Sequence, residues 1–112
     1  MKEIKAIIHP HMLRHVLKAL HALPHFNGLT ISDCKGQGRG GGAGEAPPSE
    51  LVLDYAVKTK LEIFCDDEHA ESLVETIRAA AYTDRPGDGI IMVADLPLVL
   101  RIRTGERQEA AV

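Results

Sequence analysis

The sequence predicts an α+β domain in which four strands build an antiparallel sheet and two helices interleave with them as βαββαβ. Three observations predict it. Apolar residues recur at every second position near Glu3 and again from Val57, helical spacing takes over after Pro10 and after Asp66, and a glycine-rich stretch separates two halves that carry the same order of elements. A chain of 112 residues has room for one such domain, spanning 1–112.

Residues Glu3 to Ile8 alternate between charged and apolar, as a strand with one buried face requires, and His9-Pro10 ends the run. From His11 to Leu23 the residues Leu13, Val16, Leu17 and Leu20 follow helical spacing while His11, Arg14, His15, Lys18 and His21 fall opposite, which predicts an amphipathic helix with a basic face. Pro24 stops it. Asn27-Gly28 then turns the chain into the β-prone run Leu29 to Cys34. Gly36 to Gly44 is mostly glycine and leads into Glu45-Ala46-Pro47-Pro48-Ser49, a composition with too little side-chain mass for a core. The reading is a long flexible loop over 37–54, about eighteen residues, and loops of that length in small domains usually carry function.

The second half repeats the pattern. Val57, Thr59, Leu61 and Ile63 share one face of a strand and Lys58, Lys60, Glu62 and Phe64 the other. Asp66, Asp67 and Glu68 open a helix whose positive dipole end they oppose, and Leu73, Val74 and Ile77 form its buried stripe to about Ala81. Thr83 to Gly89 holds Pro86, Gly87, Asp88 and Gly89 and reads as a turn into the strand Ile90 to Ala94. A tail segment carrying Arg101-Ile102-Arg103 is read as extended. This order is the split βαβ pattern of ferredoxin-like domains.

Composition narrows the function. The formal net charge of -3 argues against nucleic acid as a partner, because phosphate binding needs a basic surface. Cys34 and Cys65 are too few for a disulfide framework, and no apolar run approaches the roughly 20 residues of a membrane span, so the expectation is a soluble cytoplasmic protein with reduced thiols and no membrane insertion. With 4% aromatic residues and no tryptophan the core is thin for its size, a deficit that self-association relieves.

Gly36-Gln37-Gly38-Arg39-Gly40-Gly41 fits a dinucleotide-binding fingerprint, but no predicted helix follows it and it lacks the lysine ending of a P-loop. Arg101 and Arg103 stand two apart, so in an extended segment both guanidiniums project to one side and can fork onto a phosphate. Gly87-Asp88-Gly89 is first a turn, and second a place where backbone N–H groups approach a phosphate unobstructed. Of the six histidines, His11 and His15 are spaced to share a helical face and raise a metal reading, against a solvated surface; no third ligand stands near them in sequence. No nucleophile, base and orienting group have spacing that marks an active site, and the chain is read as a non-enzyme.

Leu100-Arg101-Ile102-Arg103-Thr104-Gly105-Glu106, Arg85-Pro86-Gly87-Asp88-Gly89, Val57 to Ile63, Lys5 to Pro10 and Asp33 to Arg39 together resemble, in order, segments of the PII nitrogen-regulatory proteins. The resemblance implies a homotrimeric signalling regulator that binds ADP, ATP or AMP, with Mg2+ as a companion ion, in clefts between subunits. It also implies that the long loop docks onto a membrane transporter or a metabolic enzyme. It assigns phosphate contacts to Arg101, Arg103, Gly87, Asp88 and Gly89 and places Thr30, Glu62 and Phe64 near the base; Gly36, Gly38, Arg39 and Lys58 complete the nucleotide set, with Lys58 also a family contact for 2-oxoglutarate.

The sequence departs from that family in three places. Ile90 stands where a phosphate-binding lysine is usual, removing a charge-assisted contact worth about 1.5–3 kcal/mol. Gly40 replaces a glutamine that helps hold magnesium and 2-oxoglutarate, which predicts weak or absent 2-oxoglutarate sensing. Ala46 to Leu51 lacks the tyrosine that is uridylylated, so that modification is not expected. The alternative is a metal-binding trimer linked to metal or inorganic-carbon transport, using His11 and His15.

Overall fold

The structure, a computed structural model, describes residues 1–37 and 55–112. The predicted loop beyond Gln37, with Gly38, Arg39, Gly40 and the 46–51 segment, lies outside the described residues.

Strand β1 (Lys2–Ile8) is one of the two interior strands of the sheet. Its even-numbered apolar residues Ile4, Ala6 and Ile8 are buried at 0–1% exposure, while Lys5 and Ile7 face the other way. β2 (Thr30–Gly36), β3 (Ala56–Cys65) and β4 (Gly89–Asp95) complete a four-stranded sheet in the order β2-β3-β1-β4. Every pairing is antiparallel: Ile4 sits between Ile63 and Val93, Ala6 between Leu61 and Ile91. This is the ferredoxin-like arrangement that the sequence predicts.

Helices α1 (Leu13–His21) and α2 (Asp67–Ala81) cover one face of the sheet. The core forms where Val16 and Leu20 of α1 and Ala70, Leu73, Ile77 and Ala81 of α2 meet Ile4, Ala6, Ile8, Leu61, Ile63 and Cys65. Val74, expected in the buried stripe, packs against the edge of this cluster. Asp67 and Glu68 occupy the first turn of α2 and Arg78 the last, both favourable to the helix dipole. Among the described residues no helix covers the opposite face of the sheet, and Phe64, Ile90 and Met92 lie on it 40–57% exposed. Among the described residues no helix is long and apolar enough to cross a membrane.

Three elements differ from the sequence reading. The helix expected from His11 begins instead at Leu13, because Pro10–Met12 form a 3-10 turn closed by the Met12 N–H on the His9 carbonyl at 3.0 Å. Val57, expected on the buried face, is 60% exposed: β1 ends opposite Thr59, so that end of β3 is flanked only by β2. The tail is not extended. Leu100 bridges Arg107, Arg101 N–H donates to Glu106 O at 2.9 Å and Gly105 N–H to Arg101 O at 2.8 Å, which folds Arg101 to Gly105 into a tight turn.

Leu61 is fully buried between the helices and β1. Leu61→Ala should cost about 2–5 kcal/mol, read as a lowered urea midpoint at fixed protein concentration.

Candidate ligand-binding site

Four segments converge where β1 ends. β4 starts beside the last residues of β1, and Gly89 pairs with Ile8. With φ of +114°, Gly89 approaches β1 so closely that a Cβ there would lie 1.7 Å from the Ile7 carbonyl oxygen. No residue but glycine fits. That contact lays the Thr83–Gly89 turn against His9, just past β1, and against Lys58 of β3.

Inside the turn, Asp88 is held on both carboxylate oxygens by Thr83: the backbone N–H donates to Oδ2 at 2.8 Å and the hydroxyl donates to Oδ1. These donors hold the Asp88 carboxyl below its ordinary value, the side-chain hydrogen bond first. The Lys58 ammonium donates to the Gly87 carbonyl at 2.6 Å. A Cβ on Gly87, at φ +89°, would come within 3.3 Å of the His9 ring. The backbone of 87–89 is therefore gripped from three sides.

His9 lies between opposite charges. Its Nδ1 is 3.5 Å from Lys58 Nζ and its Nε2 is 3.6 Å from Asp88 Oδ1. An ammonium has no lone pair to offer, so Nδ1 must be the acceptor and the ring proton belongs on Nε2, toward the carboxylate. Burial pushes the His9 pKa down, and the Lys58 and His11 charges push it further; Asp88 opposes them without prevailing. The His11 ring lies 5.1 Å from that of His9. His9, His11, Thr83, Arg85 and Pro86 line a cavity of about 400 Å³. A second cavity of about 430 Å³ runs along the turn's other side, bounded by Ile8, Val74, Arg78, Tyr82 and Ile90 among others.

The predicted site residues divide into separate groups. Lys58, Gly87, Asp88 and Gly89 come together at the end of β1, and Gly36 lies nearby, where an added Cβ would touch the Lys58 side chain at 3.4 Å. Thr30 faces Glu62 across the β2–β3 pairing, and Phe64 follows on the same helix-free face. Lys58 and Phe64 are six strand positions apart, about 20 Å, and Lys58 and Glu62 four, about 13 Å. Arg101 and Arg103 are exposed on the tail turn, with Ile102 between them 96% exposed.

The side-by-side projection expected of the two arginines in an extended segment does not hold, because the chain turns at that point. His11 and His15 do not share one α-helix, since His11 precedes α1. Among the described residues, the set of three potential metal-ligating groups lying within 4.8 Å of one another is Asp66, Glu68 and His69, which includes neither. Asp88, the acidic member of the phosphate group, accepts one hydrogen bond from Thr83 on each of its two carboxylate oxygens. The sequence reading missed His9 and Thr83. Both owe their position to the docking of the turn on β1, which leaves no local pattern in the chain.

The chain matches the family described as "Nitrogen regulatory protein P-II" over residues 1–106. It is 45% identical over 107 residues to the nitrogen regulatory protein P-II of Rhizobium meliloti, covering 95% of each chain. It is 42% identical over 113 residues to the nitrogen regulatory protein P-II 1 of Escherichia coli K12, covering 100% of each. Among solved structures, the crystal structure of Arabidopsis thaliana PII bound to citrate superposes with a TM-score of 0.81 at 32% identity, covering 99% of this chain and 91% of that one.

Two substitutions test the geometry. Gly89→Ala should lower stability by more than the ~1–3 kcal/mol of a strained backbone alone, because the methyl group collides with a strand carbonyl; thermal unfolding reads this. Asp88 has a depressed native pKa, so its stabilising contribution is fully present above the unfolded carboxylate value of 3.8 and disappears as pH falls through the native value. The drop in urea midpoint between pH 6 and the acid limb, at about pH 3, should therefore be smaller in Asp88→Asn than in the parent.

Proposed function

This chain belongs to the nitrogen regulatory protein P-II family, and from that premise we propose that it is a homotrimeric regulator. In this reading it binds ADP, ATP or AMP in clefts between subunits and controls a transporter or metabolic enzyme through the 37–54 segment. The observation that carries the reading is the separation of the two predicted half-sites. Along the sheet Phe64 lies about 20 Å from Lys58, and Glu62 with Thr30 opposite it about 13 Å, so the base-side and phosphate-side groups do not form one compact pocket within one chain. A neighbouring copy that brings its base-side group to this chain's phosphate-side group closes the site.

The helix-free face supports the same assembly. Phe64, Ile90 and Met92 are exposed there among Lys5, Lys60 and Glu62, a mixture of apolar surface and opposite charge suited to meeting another copy. A thin core gains from that burial. Nucleotide in the cleft would act by population shift, favouring one arrangement of the 37–54 segment, which the partner protein then reads. The segment has no tyrosine, so it is not uridylylated, and with Gly40 offering no side-chain oxygen, 2-oxoglutarate has little or no effect.

Titration calorimetry with ADP and ATP, with and without magnesium and 2-oxoglutarate, tests the reading. Arg103→Ala should weaken nucleotide binding by about 1.5–3 kcal/mol, the loss of one charged hydrogen-bonding contact, and should leave a trimeric mass in light scattering unchanged. Addition of 2-oxoglutarate should leave the ATP isotherm where it was. A monomeric mass together with the absence of any nucleotide heat would refute the proposal.

A further inference from the structure

His9 is the residue at this site for which the function above supplies no role. It is a conditional cation set among permanent ones. The groups that face it are Lys58 from β3, His11 from the 3-10 turn, and Asp88 and Arg85 from the turn before β4. Lys58 donates to Nδ1 and so keeps that nitrogen unprotonated; a proton placed there would set two positive charges 3.5 Å apart. Asp88 draws the other way. Its pull does not outweigh burial and the Lys58 charge, and both its oxygens also accept from Thr83. In the empty site the ring is therefore neutral and Lys58 is fixed on the Gly87 carbonyl.

An anion changes that balance. The cavity beside His9 presents the Arg85 guanidinium and the two imidazoles, a lining that selects an oxyanion over a neutral or cationic group. A negative group entering there offsets the positive field of Lys58 that helps hold the ring neutral, and so favours the protonated ring. We propose that an oxyanion binding at this cavity takes up a proton onto His9, so that occupancy of the site is coupled to pH. The inference rests on the nucleotide reading only in supposing that the oxyanion is a phosphate group of that ligand.

The sign follows from linkage. The free ring is neutral near pH 7 and the occupied ring charged, so between the two His9 pKa values the complex holds more protons than the free protein, and binding tightens as pH falls. One proton sets the limit at about tenfold in affinity per pH unit. Below the free-state value the dependence vanishes, because the ring is then charged in both states.

Calorimetry in two buffers of different ionisation enthalpy counts the protons exchanged by ligand and protein together, and the difference between the parent and His9→Gln gives the share taken up at His9. The full-length protein and His9→Gln are titrated with ADP, and separately with inorganic pyrophosphate as an anion without a base, at several pH values from 6 to 8.5. The expected result is greater proton uptake, and a steeper tightening of binding at lower pH, in the parent than in His9→Gln. In parallel, the His9 ring C–H resonance should titrate below an ordinary histidine in the free protein and move up when pyrophosphate is added. ADP binding with the same proton uptake in parent and His9→Gln and no movement of that resonance overturns the inference and leaves the nucleotide reading standing. Pyrophosphate binding with proton uptake while ADP gives no heat does the reverse. No binding of either anion overturns both.

Discussion

The close approach of Gly89 to the Ile7 carbonyl is the constraint from which the candidate site follows. β4 can lie beside β1 in this register only if the strand enters without a side chain. The turn before it then has no freedom to stand away from the sheet. Asp88 is carried to His9, and the Gly87 carbonyl to Lys58, as consequences of a backbone contact rather than of their own attraction. Thr83 closes the turn from inside, donating to both carboxylate oxygens of Asp88, which fixes that side chain and holds it ionised. A core built on alternate residues of β1 thus fixes a polar site beyond its end.

The fold was legible because its signals are periodic. Ile4, Ala6 and Ile8, then Thr59, Leu61, Ile63 and Cys65, obey the strand period, and Leu73 and Ile77 the helical one; each set was buried as its spacing required. The errors fall where periodicity stops. Val57 continues the alternation of β3, but alternation does not reveal that β1 has ended, and burial needs a neighbour as well as a phase. His11 keeps helical spacing with His15, yet Pro10–Met12 turn more tightly, as a 3-10 turn, and regular helix begins only at Leu13. In the tail, residues 99–108 are closed by backbone bonds and by Gln108, whose side chain accepts from Val99; nothing in Arg-Ile-Arg announces this.

The candidate site was less legible, for a different reason. Gly87 and Gly89 stand out in sequence because only certain residues tolerate positive φ, and Lys58 because it matches a family segment. His9 looked like the end of a strand. Its significance depends on three partners that lie 49, 78 and 79 residues away (58 − 9, 87 − 9 and 88 − 9) and meet only through the sheet register. Long-range contacts of this kind cannot be read from a local window, whereas the register that produces them can be checked once the strands are paired.

The electrostatic character of the site also has to be read as a whole. The turn's cationic neighbours are Lys58 and Arg85, and the position following Gly89 is Ile90, which is exposed and lines the apolar cavity rather than the polar one. A lysine at that position would hold its charge at every physiological pH. An imidazole wedged between an ammonium and a satisfied carboxylate holds its charge only when a third, negative group is present, which means the positive field can be raised when a ligand arrives and relaxed when it leaves. Replacing a fixed cation by a conditional one lowers affinity in the resting state, since the neutral ring contributes no charge to attract an anion.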